Sequence, residues 1–409
     1  MKKKFKIGVI GLGYVGLPLA LSFSKYFNTY AYDFDKIRIK KIKSNDDSNK
    51  EINIKKNKCI FDYKESVLKN CNIFVISVPT PVDKKNVPDL RNLISATHTV
   101  CKYLKRNDIV IYESTVYPGT TEEVCVPLIA KKTSMIPNKD FFYGYSPERV
   151  NPGDKNRTIE KIVKIVSGSD KKTLKTIDYI YSKIIKAGTF KVDKIIIAES
   201  AKIIENIQRD VNVALMNEFV KIFDKLKIDF NPILDAAATK WNFLKFRPGL
   251  VGGHCIGVDP YYLTYLASIK GFNPNLIIQA RKINEKMGNF HANKILNFLN
   301  KNKVSKKKIL ICGFAFKANC SDYRNTGVIK LYNALKRKNL KIDIFDPLIN
   351  SNKVYVDHKL RLITKLRKKN YDMVVLAVDH KKFKKLGKKY FTTLIKNRGQ
   401  IYDLKNLFH

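Results

Sequence analysis

Acidic residues are scarce in this sequence of 409 residues, which has 36 Asp and Glu against 78 Lys and Arg and so carries a formal net charge of +42. Such an excess is typical of proteins that bind nucleic acids or anionic membranes. The lysines, however, are spread along the whole length, and no RNP signature, helix-turn-helix pattern or aromatic-interleaved basic stretch is present. We therefore interpret the charge as ordinary surface composition and predict that nucleic acid is not a partner.

The seven cysteines are odd in number and form no Cys-x-x-Cys pair. A structural zinc site and the disulfide framework of a small secreted domain both require paired cysteines, so neither is expected. The sequence predicts a protein of the reducing cytoplasm that holds no metal.

Long apolar runs are also missing, since none approaches the ~18 residues that a helix needs to cross a bilayer. Lys2–Lys4 followed by the apolar stretch Ile7–Phe23 resembles a signal peptide. That stretch is interrupted by Gly11, Gly13 and Gly16, however, and no small-x-small cleavage site follows it. We expect a soluble protein without a membrane partner.

Short β-branched or aromatic runs alternate with helical patterns in the first half of the chain, which is typical of parallel α/β sheets. The pattern predicts helices over Tyr14–Phe27 and Leu90–Leu104. It predicts strands at Lys6–Ile10, Thr29–Asp33, Asn72–Val78, Ile109–Glu113, Lys161–Val166 and Thr189–Val192.

The middle of the chain breaks this rhythm. Apolar residues three or four apart predict one long helix over Ala198–Lys227, and the Gly-, Pro- and aromatic-rich region Asn231–Asp259 is predicted to be a functional loop. The alternation resumes with a helix at Val328–Arg337 and with strands at Ile309–Phe314, Lys341–Phe345, Met373–Val378 and Gln400–Asp403. We predict an α/β fold with two Rossmann-like domains (residues 1–195 and 301–409) joined by a long central helix and a helical middle domain (residues 196–300).

Gly11-Leu-Gly13-Tyr-Val-Gly16 directly follows a predicted strand and opens a helix. Gly11 permits the tight turn, Gly13 lets the backbone approach a pyrophosphate, and Gly16 allows close packing of the helix on the strand. Asp33 ends the next strand, where a carboxylate accepts the ribose hydroxyls of NAD and repels the 2′-phosphate of NADP. The pattern predicts a dinucleotide site that favours NAD, with FAD as the alternative.

Thr80 and Thr115 end later predicted strands, at the edge where ligands of Rossmann folds bind. Taken alone, each threonine fits a helix cap or a turn better than a ligand contact.

Cys255 lies in Gly252-Gly-His-Cys-Ile-Gly-Val-Asp259, and this context separates it from the other cysteines, which are expected to be small core residues. A thiolate nucleophile needs a base or a cation nearby, and Lys202 supplies the cation if the long helix faces this loop. Lys202 and Asn206 are one helical turn apart and form either a donor pair for an oxyanion or a solvated polar face. With a nicotinamide, such a thiolate adds to an aldehyde, hydride leaves the thiohemiacetal, and water hydrolyses the thioester.

Six motifs in a fixed order resemble the UDP-glucose/UDP-N-acetylhexosamine 6-dehydrogenase family over the whole chain. Ser146-Pro-Glu-Arg149 and the Cys255 motif are most similar to its UDP-N-acetylglucosamine branch, which supplies uronic acids for capsules and O-antigens. The motifs are Gly11–Pro18, Tyr145–Asp154, Ala198–Asn206, Lys240–Gly249, Gly252–Tyr262, and Gly313–Lys317 with Asp322–Thr326.

The resemblance implies an NAD-dependent four-electron oxidation of the C6 alcohol of a UDP-N-acetylhexosamine to the carboxylate by a homodimer. It assigns the thioester nucleophile to Cys255, oxyanion stabilisation to Lys202 and Asn206, their orientation or that of the base to Asp259, and the hydrolytic water to Glu148 with Thr115.

The resemblance also implies the binding residues. Lys317 binds the UDP-sugar, Arg247 reaches the substrate from a neighbouring subunit, and Glu148, Lys202 and Asn206 contact the sugar together with the pocket residues Arg149, Val150 and Gly252. The implied cofactor residues are Gly11, Gly13, Tyr14, Val15, Gly16, Asp33, Arg38, Thr80, Thr115 and Arg324.

Several alternatives stay open at this stage. The substrate is UDP-GlcNAc in first place, with UDP-GalNAc, UDP-ManNAc or UDP-glucose as alternatives. A two-electron dehydrogenase of the 6-phosphogluconate type shares the first site and a helical middle, but needs neither the thiol nor the second Rossmann-like domain. A non-catalytic protein that binds nucleotide sugars is the alternative from another class.

Overall fold

The structure is a computed structural model that divides into two compact units, which are described separately. The first unit comprises Met1–Glu205 and Tyr261–Phe272, and the second comprises Asn206–Pro260 and Asn273–His409. The residues that the structure describes are 5–45, 54, 57–150, 157–253, 255–302, 307–338 and 340–408.

The first unit contains a sheet of eight strands in the order β3-β2-β1-β4-β5-β6-β7-β8. Neighbouring strands are parallel except for β6 and β7, which pair antiparallel. The strand order reverses at β1, and open α/β sheets bind their ligands at the carboxyl ends of the strands beside such a reversal. The strands are β1 (Lys6–Ile10), β2 (Asn28–Tyr32), β3 (Ile60–Asp62), β4 (Ile73–Ile76), β5 (Ile109–Tyr112), β6 (Phe142–Tyr145), β7 (Lys164–Gly168) and β8 (Thr189–Lys191).

Both faces of this sheet are buried, as expected for parallel strands. Along β4, Ile73 and Val75 pack into one apolar cluster, whereas Phe74 and Ile76 pack into the other. The helices of this part of the chain are α1 (Gly16–Phe23), α2 (Lys36–Lys43), α3 (Arg91–Cys101), α4 (Val126–Thr133) and α5 (Lys171–Ile184).

Four helices lie between the two sheets in the sequence. They are α6 (Ile195–Lys225), α7 (Phe230–Ala237), α8 (Asp259–Ile269) and α9 (Asn275–Lys301). The buried face of α6 is unusually polar, because Glu199, Lys202, Asn206, Asp210 and Asn217 are all less than a tenth exposed. Within the described ranges, no helix combines the length and the apolar character required to cross a membrane.

The second unit contains a parallel sheet of four strands in the order β10-β9-β11-β12. Apolar clusters line both of its faces. Its elements are β9 (Lys308–Cys312), α10 (Val328–Lys336), β10 (Lys341–Phe345), α11 (Ser351–His358), β11 (Tyr371–Leu376), α12 (Lys381–Thr392) and β12 (Ile395–Asp403).

The predicted α/β fold with two Rossmann-like parts and a long helix in the middle of the chain is confirmed. The predicted loop over Asn231–Asp259 is wrong at its start, because Asp229 accepts a hydrogen bond from the Asn231 N–H and caps α7, whose Phe230 and Leu234 are buried one turn apart. The division into three domains at residues 195 and 300 stays a prediction.

Candidate active site

The glycine turn after β1 is shaped by close approaches of the backbone. Gly11 has a φ of +89°, and a Cβ at this position would lie 2.8 Å from the Ser77 carbonyl oxygen. A Cβ at Gly16 would collide with the Gly11 carbonyl oxygen, whereas no atom lies within 4 Å of the Cβ position of Gly13. Two of the glycines therefore allow the turn to pack, and the third leaves its backbone open to a ligand, as a pyrophosphate site requires.

Asp33 links this turn to the end of β2. Its carboxylate accepts hydrogen bonds from the Leu12 N–H at 2.8 Å and the Asp35 N–H at 3.0 Å. The Arg38 guanidinium donates to the Leu12 carbonyl at 3.0 Å, so both backbone groups of Leu12 are held. Asp33 is half-buried, as are Tyr14 and Val15 at the start of α1. The structure thus brings the predicted cofactor residues of β1, α1, β2 and α2 together.

Thr80 and Thr115 follow β4 and β5, and they contact each other. The Thr80 hydroxyl donates to the Thr115 carbonyl at 2.5 Å, and the Thr80 carbonyl accepts a hydrogen bond from the Tyr262 hydroxyl. Because β4 and β5 are parallel neighbours, their carboxyl ends meet at the edge where Rossmann folds bind ligands.

Glu148 follows β6 and is less than a tenth exposed. Its Oε1 accepts the N–H groups of Arg149 at 2.7 Å and Val150 at 2.6 Å, and its Oε2 lies 3.4 Å from the Lys164 ammonium. Burial alone would raise the pKa of this carboxyl, but Lys164, the two N–H groups and Lys202 outweigh burial and lower the pKa below its usual value. The carboxylate is therefore ionised and available as a base.

The sequence analysis missed three side chains that lie behind Glu148. Lys164 of β7 pairs with Glu113 at 2.6 Å, and the Tyr181 hydroxyl of α5 donates to the same carboxylate. Burial raises the pKa of Glu113, although Lys164 opposes this effect. A signal was available, since Lys164 lies within the predicted strand Lys161–Val166, directly before the apolar residues Ile165 and Val166.

Asn206 of α6 donates from Nδ2 to the Asp259 carboxylate at 2.6 Å, and both residues are buried. Asp259 begins α8, and the N–H groups of Val258 and Asp259 donate to the Cys255 carbonyl at 3.0 and 2.8 Å. Cys255 is half-buried in this turn. The structure therefore places the predicted thiol of Cys255 in one short segment with Asp259, and Asp259 in turn contacts Asn206 of α6.

The chain on either side of Cys255 is fixed to its surroundings. The Asn217 amide exchanges two hydrogen bonds with the backbone of Gly249, at 2.9 and 3.0 Å, and the Gly253 N–H donates to the Asn325 carbonyl at 3.0 Å. Arg281, which pairs with the buried Asp210 at 2.7 Å, donates to the Ile256 carbonyl at 3.4 Å.

Glycine is required at two positions of this loop. Gly253 has a φ of +87°, and a Cβ there would lie 2.8 Å from the Phe316 ring. A Cβ at Gly252 would lie 2.5 Å from the Gly327 nitrogen.

His254 and residues 151–156, which include Asp154 of the Tyr145–Asp154 motif, lie outside the described residues.

The remaining predicted residues of the second unit make local contacts of their own. Lys317 is half-buried with its ammonium 5.4 Å from the centre of the Phe316 ring, and Arg324 binds both oxygens of Asp322 at 3.0 and 2.8 Å. Arg247 is exposed and pairs with Asp235 at 2.9 Å. Within the described part of the chain, no group of three or more His, Cys, Asp or Glu is placed to hold a metal ion.

The doubly wound sheet, the open glycine turn and the acid after β2 define the first unit as a dinucleotide-binding fold of the Rossmann type. Comparison with known proteins identifies the family. Residues 5–185 match the NAD binding domain of the UDP-glucose/GDP-mannose dehydrogenase family, residues 197–286 its central domain and residues 310–409 its UDP binding domain. The chain belongs to this family, and the predicted family, enzyme class and NAD cofactor are confirmed.

Individual relatives match along nearly the whole chain. The UDP-N-acetyl-D-glucosamine 6-dehydrogenase of Salmonella typhi is 45% identical, with 98% of this chain and 96% of the relative covered. The enzyme of the same name from Pseudomonas aeruginosa is 43% identical, with 99% and 97% covered. A solved UDP-D-ManNAc dehydrogenase from Pyrococcus horikoshii superimposes with a TM-score of 0.89 at 30% identity, covering 99% of this chain and 96% of that one.

Proposed function

We propose that this protein oxidises the C6 hydroxyl of UDP-N-acetylglucosamine to the carboxylate, with two NAD⁺ consumed per sugar. The two relatives that carry the name of this activity are 43–45% identical over essentially the full chain, and this similarity favours UDP-GlcNAc over its epimers. The observation that carries the chemistry is the hydrogen bond between Asn206 and Asp259 beside the turn of Cys255.

In this proposal, Cys255 attacks the C6 aldehyde and becomes the sulfur of a thioester. NAD⁺ supplies the chemistry of hydride acceptance at both oxidation steps. Lys202 and Asn206 provide a cation and an amide N–H for the developing oxyanion, and Asp259 fixes the amide. Because the Asp259 carboxylate accepts from Nδ2, it aligns the Asn206 side chain before the substrate arrives, so that no reorganisation is needed at the reaction step.

Hydrolysis completes the reaction. Glu148, aided by Thr115, accepts the proton of the water that attacks the thioester carbon, the oxygen–C6 bond forms, and the bond from C6 to the Cys255 sulfur breaks. Across the sequence, one alcohol, one water and two NAD⁺ give one carboxylate, two NADH and three protons. The lowered pKa of Glu148 keeps its carboxylate ionised, so that it can accept a proton.

The remaining candidate residues are assigned to binding of the cofactor and of the UDP-sugar. The glycine turn with Tyr14 and Val15 holds the pyrophosphate, Asp33 with Arg38 holds the ribose, and Thr80, Thr115 and Arg324 complete the cofactor site. Lys317 holds the diphosphate of the substrate, and Arg149, Val150, Gly252 and Arg247 bind the rest of the UDP-sugar.

A panel of four UDP-sugars tests the substrate assignment. UDP-ManNAc is the second candidate, because the chain is similar to a solved protein that bears the name of a UDP-D-ManNAc dehydrogenase. We expect kcat/KM to be highest with UDP-GlcNAc and lower with UDP-GalNAc, UDP-ManNAc and UDP-glucose. Turnover of UDP-ManNAc alone would move the assignment to that epimer, and turnover of none of the four would contradict the proposed function.

We also propose a cytoplasmic homodimer that feeds the synthesis of surface polysaccharides. The second half of α6 supports the dimer, because Leu215 and Ile222 are each about half exposed there and Leu226, directly after the helix, is also exposed. None of the seven cysteines, all of which lie in the described part of the chain, forms a disulfide, which is compatible with a reducing compartment. Light scattering of the purified protein is expected to give twice the mass of 47.1 kDa, and a monomer would contradict this proposal.

A further inference from the structure

The Lys164 ammonium is an unusual group for the interior of a sheet. Lys164 is 2% exposed, yet it carries a charge between the carboxylates of Glu113 and Glu148. The centre of the Tyr181 ring lies 5.5 Å from the ammonium, and the Tyr181 hydroxyl donates a hydrogen bond to Glu113. All four side chains belong to the first unit.

Stability does not explain this arrangement. The desolvation of buried charges cancels most of their attraction, so that well-packed apolar residues in place of a buried ion pair are often as stable or more stable. The other residues of β7 that form its buried run are Ile165, Val166, Ser167 and Gly168, and an apolar residue at position 164 would suit this strand. The charge is therefore expected to serve another purpose.

The contacts of Glu148 indicate that purpose. Its Oε1 is held by two backbone N–H groups, whereas its Oε2 is approached at 3.4 Å by Lys164. Glu113 binds the same ammonium more closely, at 2.6 Å, and thereby fixes the position of Lys164. One cation thus sets both the direction and the ionisation of the carboxylate that is proposed to activate water.

The second unit contains a similar but more exposed arrangement, in which one carboxylate among the described residues pairs with the lysine. Lys308 is the first residue of β9, as Lys164 is of β7, and it pairs with Asp343 at 3.2 Å. The Tyr371 ring lies 5.1 Å from the Lys308 ammonium, and its hydroxyl donates to Asp343. Two features therefore distinguish Lys164, its nearly complete burial and its contact with Glu148.

We propose that Lys164 is a positioning residue for thioester hydrolysis: it orients the Glu148 carboxylate toward the attacking water and keeps it charged, while Glu113 and Tyr181 hold Lys164 in place. This inference rests on the proposed function. The step that it controls is the attack of water on the thioester carbon, in which the proton goes to Glu148 and the Cys255 sulfur leaves as the thiolate.

The test is a single-turnover experiment with enzyme and NAD⁺ in excess over UDP-GlcNAc. NADH and uronic acid are followed separately by rapid quenching, and the acyl group on Cys255 is detected by intact mass. In Lys164→Met, we expect both NADH to form at about the wild-type rate and the uronic acid to appear ~10²-fold more slowly, within the range of general-base catalysis. The acyl-enzyme then accumulates, and the steady-state KM does not rise although kcat falls.

Two further variants separate positioning from folding. Lys164→Met leaves two buried carboxylates unpaired, so Lys164→Met/Glu113→Gln removes the cation and one carboxylate together and keeps a partner for Tyr181. We expect this double variant to fold and still to accumulate the acyl-enzyme. Glu113→Gln alone keeps an uncharged oxygen as the acceptor for Lys164 and retains the cation beside Glu148, so it is expected to slow thioester hydrolysis, but by much less than Lys164→Met. Lys308→Met is the matched control and should behave as wild type.

The outcomes are distinct. Hydrolysis at the wild-type rate in both Lys164 variants overturns the inference, and so does a double variant that fails to fold, because the cluster would then be structural. If the wild-type protein itself forms no second NADH and no acyl-enzyme, the proposed function fails instead.

Discussion

The Asn206 side-chain amide donates a hydrogen bond of 2.6 Å to the Asp259 carboxylate, and this contact ties the buried face of α6 to the first residue of α8. Cys255 lies four residues before Asp259, and its carbonyl accepts the Asp259 N–H at 2.8 Å. One helix end therefore holds both the turn of the thiol and the amide that is proposed to stabilise the oxyanion.

Asp259→Asn tests this relationship. The variant replaces a charged acceptor with a neutral amide oxygen, which accepts a weaker hydrogen bond, so the Asn206 side chain is held less firmly. Because the loss of one oxyanion donor typically costs 10²–10³-fold in rate, we expect kcat to fall by about 10²-fold, with little change in KM for NAD⁺. The control is Asp229→Asn, which removes the same charge from the N-terminus of α7. It should leave kcat within about twofold of wild type, and equal rates for the two variants would contradict the proposed role of Asp259.

Two alanine substitutions separate packing from cofactor binding in the glycine turn. Gly16→Ala places a methyl group against the Gly11 carbonyl, so we expect a loss of ~1–3 kcal/mol in the free energy of unfolding, as is usual for overpacking. Gly13→Ala points into open space and should leave the melting temperature unchanged while it raises the KM for NAD⁺ at least about tenfold. A Gly13→Ala protein with wild-type affinity for NAD⁺ would show that the pyrophosphate binds elsewhere.

The glycine turn was predictable because its signal is local. The glycines, the strand before them, the helix after them and Asp33 all fall within one short stretch of sequence, and each has a separate steric or electrostatic reason. The contacts of Lys164 were not predictable in this way. Glu113 follows β5, Lys164 begins β7 and Tyr181 lies on α5, so their meeting depends on strand pairing, and β6 pairs antiparallel with β7.

The long helices show the same limit. The periodicity of α6 predicted a helix, but its apolar residues Leu215 and Ile222 are exposed whereas polar residues such as Asp210 are buried. Helix α9 was missed, although it has 27 residues, because Arg281, Asn284 and His291 interrupt its buried face. Apolar periodicity follows only the apolar residues of a helix. It therefore does not identify a buried helix face that is formed by paired polar side chains.

His291 predicts a pH dependence of stability. Burial lowers the pKa of this imidazole to about 3, assisted by Lys294 and Lys405, and its Nδ1 is within 2.7 Å of the Tyr402 hydroxyl. In the unfolded chain a histidine titrates near pH 6.5. The stabilisation is therefore complete above pH 6.5 and is lost as the pH falls toward 3, because the unfolded state alone takes up the proton. Between pH 7 and pH 5 this one group should cost about 2 kcal/mol.

Urea unfolding at these two pH values, for the wild type and His291→Asn, measures the contribution. We expect the loss of stability between pH 7 and pH 5 to be smaller in the variant by about 2 kcal/mol. His98→Asn is the matched control, since His98 on α3 is exposed to water in the folded protein, and it should keep the wild-type loss. An unchanged loss in His291→Asn would show that this imidazole is protonated in the folded state.

Cys255→Ala removes the proposed nucleophile. We expect net oxidation to the carboxylate to be abolished, by at least about 10⁴-fold, while NAD⁺ and the UDP-sugar bind within about threefold of their wild-type affinities. Cys101→Ala is the control, because Cys101 is also half-buried but lies on α3. Wild-type turnover by the Cys255 variant would remove the thioester from the mechanism.

The stoichiometry of the reaction distinguishes a covalent four-electron oxidation from a two-electron oxidation that stops at the aldehyde. Purified protein is mixed with excess NAD⁺ and a limiting, known amount of UDP-GlcNAc, and NADH and residual sugar are measured until the reaction stops. The account predicts two NADH and one uronic acid for each sugar consumed. One NADH per sugar, with a released aldehyde, would contradict the covalent four-electron oxidation.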